Sequence, residues 1–145
     1  MHRYDIYLLK PGIARQFIQL ENKLFQLFKE YETVPSLRRE VQMQIDYICQ
    51  PISIHHLGEW LSSARITPFS QGREDGFVYY LEESEGVKVR LSERRVQIWS
   101  TLDMEDEWPW FDQLQAYDPY FFVCDIGREK HGWLKPIKMH THLFG

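Results

Sequence analysis

The chain has 145 residues, 43 % hydrophobic and 15 % aromatic, which is too apolar for a disordered segment and long enough for one core rather than two. Seventeen Lys and Arg against 21 Asp and Glu leave a formal net charge of −4, which disfavours a protein that coats nucleic acid, because neutralising phosphates takes a basic excess. Two cysteines, Cys49 and Cys124, are too few and too far apart for a disulfide scaffold or a CxxC zinc site, and no apolar run approaches the ~18–20 residues of a bilayer span.

The N-terminus lacks the apolar centre of a signal peptide, so a cytoplasmic protein is expected. From Arg3 to Leu9, apolar residues occupy both parities, which predicts a strand covered on both faces. Pro11-Gly12 ends it. Ile13, Phe17, Leu20, Leu24, Leu27, Phe28 and Tyr31 then recur at spacings of three and four, predicting one continuous helix from Ile13 to Tyr31. Such a helix is ~28 Å long, against ~20 Å for a strand of about six residues, so its stripe is expected to overhang the sheet.

Pro35 breaks the chain, and Ser36 is the expected N-cap of a second helix whose core row is Leu37, Val41, Ile45 and Ile48. The strip of Glu40, Met43, Gln44 and Tyr47 points elsewhere and is wide enough to touch a partner. Beyond Pro51, Ile54, Leu57, Trp60, Leu61 and Ala64 mark a third helix. Thr67 to Gly76 has loop composition, the best internal boundary on offer. Phe77–Glu82, Val87–Leu91 and Val96–Thr101 follow as a three-stranded antiparallel meander. Asp103 to Asp118 returns to helical spacing, with Asp103, Glu105, Asp106 and Glu107 where a helix dipole favours negative charge. Tyr120–Ile126 is strand-like on both faces, Gly132-Trp133-Leu134 continues as an edge strand, and the chain from about residue 139 is expected to be a flexible tail. The sum is a single α/β (α+β) domain spanning residues 1–145. It has a mixed, largely antiparallel sheet of about five to six strands packed with about four helices.

Catalytic motifs are sparse. No phosphate-cradling Gly-rich loop and no GxSxG elbow is present. His55 and Glu59, four apart on a helix, form with His140 and His142 the one arrangement that suggests a small metal-dependent enzyme; as a pair on an amphipathic helix they equally suit a solvent-facing contact. Cys124 as a nucleophile needs a base such as His131, whereas in its Phe-Phe-Val-Cys setting it suits a small buried hydrophobe. Arg128, Lys130, Lys135 and Lys138 around Trp133 give the only local support for nucleic acid, and no recognised motif accompanies them. A surface rich in mixed apolar-polar strips with no convergent reactive groups favours a binding or inhibitory protein over an enzyme, with no cofactor and no metal expected.

Several segments carry a more specific signal: Tyr7-Leu8-Leu9-Lys10, Leu24 to Tyr31, Gln44-Ile45-Asp46-Tyr47-Ile48-Cys49-Gln50-Pro51-Ile52, Tyr120 to Asp125, and Gly132-Trp133-Leu134-Lys135-Pro136-Ile137-Lys138. Together they resemble the SirA family, the sporulation inhibitors of replication of endospore-forming bacilli, over nearly the full length, with the weakest match from about Ser62 to Asp112. The resemblance implies a single α/β domain that binds the N-terminal domain of the initiator DnaA and blocks new rounds of replication as sporulation begins. It implies a protein partner, with no membrane and no direct nucleic acid. Carried over residue by residue, the family's contact surface falls on Ile13 and Phe17 in the first helix and on Gln44 and Tyr47 in the second. The chain departs from the family pattern at Ile13, where an aromatic is expected, and at Phe17, which lacks a tyrosine hydroxyl. Periodicity alone places Phe17 in the core stripe with Leu20 and Leu24, and leaves Gln44 and Tyr47 at the surface.

Overall fold

A computed structural model describes residues 2–64, 70–74, 77–82, 86–100 and 109–135. The predicted acidic helix start at Asp103 to Glu107 and the tail from residue 139 lie outside them. The first strand, β1 (His2–Leu8), lies in the interior of a sheet that also contains β2 (Ser70–Glu74), β3 (Phe77–Glu82), β4 (Val87–Leu91), β5 (Val96–Ser100), β6 (Phe121–Asp125) and β7 (Lys130–Trp133). Their order is β2-β3-β4-β5-β1-β6-β7, and the strand pairs are antiparallel throughout. Helices cover both faces of the sheet at β1, which explains a strand apolar on both parities.

Two cores lie on opposite faces of this sheet. Tyr4, Ile6 and Leu8 of β1 join Val89, Ile98 and Phe121 beneath α4 (Ile54–Ala64) and α5 (Pro109–Tyr117), which contribute Leu57, Leu61, Trp110 and Leu114. Tyr7 and Leu9 face the other way, with Phe122 and Cys124, under α1 (Pro11–Gln16), α2 (Glu21–Thr33) and α3 (Arg38–Ile48). Phe121 and Phe122, adjacent in sequence, are both 0 % exposed, one in each core. Tyr7 stacks on Phe28 with ring centroids 3.8 Å apart, which fixes α2 on β1.

Three expectations are corrected. The continuous helix from Ile13 to Tyr31 is instead two helices, α1 and α2, separated by a turn in which Gln19 takes a left-handed backbone (φ 70°). A straight helix would carry one end past the sheet; the turn lets both Ala14 and Leu24, each 0 % exposed, reach the same core. The loop expected from Thr67 to Gly76 contains β2, which pairs with β3 from Ser70↔Leu81 to Glu74↔Phe77. Its polar composition is that of an edge strand, where charge and glycine discourage pairing with another chain. With these two changes the described residues form seven strands and five α-helices.

Ser36 does not cap α3 either. A 3-10 turn over Pro35–Leu37 closes through Leu37 N–H to Val34 O at 3.0 Å, placing Ser36 within the turn and leaving Leu37 42 % exposed instead of in the core row. Val41, Ile45 and Ile48 of that row are buried as expected.

A polar network is built around β1. Asp5 of β1 is fully buried and accepts from Gln97 Nε2 at 3.0 Å and from Arg3 Nε at 3.0 Å. Arg95 lies 3.4 Å from the same carboxylate and pairs with Glu32 at the end of α2. Burial alone pushes the Glu32 carboxyl up, but Arg95 and Arg3 outweigh it and hold the group below its usual range. The same burial drives the Tyr7 hydroxyl well above its ordinary value, although Arg95 donates to it at 3.2 Å.

Candidate functional site

The helical layer over Tyr7 and Leu9 is fastened to β1 at one corner. Lys10 N–H donates to Ile48 O at 3.0 Å, Gln50 N–H to Leu8 O at 2.9 Å, and Gln50 Nε2 to Leu9 O at 3.0 Å, while Leu9 and Cys49 form an antiparallel bridge. The start of α1 and the end of α3 therefore leave the same point of the sheet. Lys10 Nζ sits 5.3 Å above the Tyr47 ring, a cation–π contact joining the two helices at the surface.

Of the four residues expected to bind a partner, Gln44 and Tyr47 lie on the outer face of α3, and Tyr47 is 68 % exposed. Gln44 borders a shallow groove between α2 and α3 with Lys23, Gln26, Leu27 and Glu30. Ile13 on α1 and Phe17 at its C-cap are half-buried, packed against the core of Leu24, Phe25 and Ile45 but not sealed within it. Periodicity placed Phe17 in the interior; the turn that follows α1 is what opens one side of it.

The structure adds two exposed apolar residues to this side of the molecule. Met43 is 69 % exposed, one helical turn before Tyr47, and Leu20 is 43 % exposed at the N-cap of α2. Met43 was legible from its place on the polar strip of α3. Leu20 was not, because it shares the apolar phase of α2 and is displaced only by the turn at Gln19.

The other candidate chemistries fare differently. His55 Nε2 and Glu59 Oε1 are 3.3 Å apart on a solvent-facing side of α4, with both side chains about two-thirds or more exposed, and His140 and His142 lie outside the described residues. No group of three or more His, Cys, Asp or Glu side chains gathers in a metal-holding arrangement among the described residues. Burial pushes the Cys49 thiol up to about 12 and the Cys124 thiol well above its ordinary value, so both stay protonated near neutrality. His131, opposite Cys124 in the β6–β7 pair, stacks on Phe25 and places Nε2 2.9 Å from Asn22 Oδ1. Arg128 is spent on Asp125, at 2.6 Å, and on the Tyr4 hydroxyl, at 2.9 Å. Lys135 is exposed and Lys138 lies outside the described residues. No helix among the described residues is long and apolar enough to cross a membrane.

The α+β fold thus exposes an aromatic, a methionine and an amide on the outer face of α3, keeps both thiols protonated and pairs Arg128 internally. A family profile described as sporulation inhibitor of replication protein SirA matches residues 2–138. The chain belongs to the SirA family. It is 29 % identical over 142 residues, covering 93 % of this chain and 94 % of the relative, to the Bacillus subtilis (strain 168) protein named "Sporulation inhibitor of replication protein SirA".

Proposed function

We propose that this protein inhibits the initiation of chromosome replication at the onset of sporulation, acting in the cytoplasm by binding the N-terminal domain of DnaA. Family membership supports the inhibitory role. The observation that carries the binding surface is the outer face of α3, where Tyr47 offers a large ring to solvent with a cation above it and Gln44 stands at the rim of a groove. Tyr47 is the central anchor, Gln44 sets orientation by donating and accepting, and Ile13 and Phe17 supply the apolar flank.

Inhibition follows by occlusion. An interface of ~800 Å² on each partner covers much of one face of a small initiator domain and excludes other ligands of that face. No chemical step is required.

The test is capture of the DnaA N-terminal domain from the same organism by the full chain, followed by calorimetry. Tyr47→Ala and Gln44→Ala should lose affinity while the far-ultraviolet circular dichroism is unchanged. Failure of the wild-type chain to capture the domain overturns the proposal, and stoichiometric bound zinc in such a protein would turn attention to His55 and Glu59.

A further inference from the structure

A second hollow lies between α3, the end of α2 and the β4–β5 hairpin. It is a cleft of about 150 Å³ that the surface around Tyr47 does not use. The hairpin supplies Arg90, Arg94, Arg95 and Ser92, and the helices supply Gln42 and the Tyr31 ring. Among the described residues lining it there is no carboxylate. Three of the ten arginines thus meet at one hollow in a chain whose net charge is −4.

Behind the cleft stands a buried frame. Asp5 orients Gln97 through Nε2, which turns Gln97 Oε1 toward Arg90, whose Nε donates to it at 3.0 Å. Gln97 is only 3 % exposed, so this arrangement is fixed by packing. Arg95 is held by Asp5, Glu32 and Tyr7, and the charges of Asp5 and Glu32 are matched by those of Arg3 and Arg95. Arg94 differs: its side chain is 57 % exposed and reaches Asp46, which lines the adjoining hollow, only at 3.6 Å. A solvent-exposed pair at that distance is worth little and yields readily to a better acceptor. Guanidinium groups offer paired donors matched to phosphate and carboxylate oxygens.

We propose that this cleft binds a small oxyanion, the phosphate or carboxylate group of a metabolite or of a free ion, with Arg94 leaving Asp46 to close over it. A hollow of this size is enough for such a group and too little for a folded segment. The site is separate from the DnaA-binding surface and stands or falls independently of it.

The test titrates the full chain with inorganic phosphate, citrate and a nucleoside triphosphate at constant ionic strength, following backbone amide and arginine Nε resonances. Saturable shifts at Arg90, Ser92 and Arg94 are expected. Arg94→Glu should weaken binding about tenfold or more, and Arg39→Glu on α3 should leave it unchanged. Tighter binding of citrate or the triphosphate identifies a metabolite as the source; equal binding of phosphate identifies the free ion. Absence of saturable shifts with all three probes overturns the proposal, as does undiminished binding by a folded Arg94→Glu variant.

Discussion

Tyr47 and Trp60 are two large aromatics exposed on opposite helical layers, at 68 % and 40 %, and they are not equivalent. Trp60 donates its indole Nε1 to Gln113 O at 3.0 Å and meets the Tyr117 ring edge-on at 5.8 Å, so its polar handle and one of its faces are already used to hold α4 against α5. Tyr47 has Lys10 over its ring and, among the described residues, no hydrogen-bond partner for its hydroxyl. Exposure alone therefore does not nominate a binding residue. What distinguishes the two is whether the polar atom of the ring has been committed within the chain.

The largest effect that would sharpen this contrast is on binding. Tyr47→Ala should cost about 2 kcal/mol or more of affinity for the DnaA N-terminal domain by calorimetry, with stability changed by no more than ~0.5 kcal/mol. The reverse is expected of Trp60→Ala: a loss of about 1–2 kcal/mol in chemical denaturation, from one hydrogen bond and one aromatic pair, with affinity unchanged. Equal losses of affinity in the two variants would erase the distinction.

A pH titration tests what holds the layer that presents Tyr47. Because Glu32 titrates below its ordinary value of 4.5 in the folded chain, its pairs with Arg95 and Arg3 stabilise fully above that value. That contribution is lost as pH falls below 4.5 through the folded value. Glu32→Gln should remove on the order of 1 kcal/mol of stability near neutrality and flatten the acid limb of the denaturation midpoint against pH. The smallest expected effect is at the turn after α1, where Gln19→Gly should be neutral to stabilising by ~0.5 kcal/mol and Gln19→Val destabilising by ~1 kcal/mol, read as melting temperatures.

Much of the fold could be read before the structure because it rests on periodicity. The double-faced strands β1 and β6, the β3-β4-β5 meander and the buried rows of α3 and α4 all announce themselves by spacing. The break at Gln19 does not, since no Gly, Asn or Pro marks it and the apolar phase runs unbroken from Phe17 to Leu24. Strand β2 was hidden for a different reason: its sequence, Ser70 to Glu74, carries no apolar alternation, and its place is given by its pairing with β3. Asp5 gave no hint of burial, because its partners Gln97 and Arg95 are some ninety residues away. At the candidate site, Gln44 and Tyr47 were visible as residues off the core row. The half-open setting of Phe17 and the exposure of Leu20 depend on the turn that periodicity missed.

The bonds that fasten Lys10 and Gln50 to Ile48 and Leu8 have a kinetic corollary. The proposed contact surface, anchored to an interior strand of its sheet, has little left to organise when a partner arrives, so association should be limited by encounter and orientation, not by slow rearrangement. The amide protons at this corner should then exchange with solvent at nearly the rate set by global unfolding, in the free chain and in the complex alike.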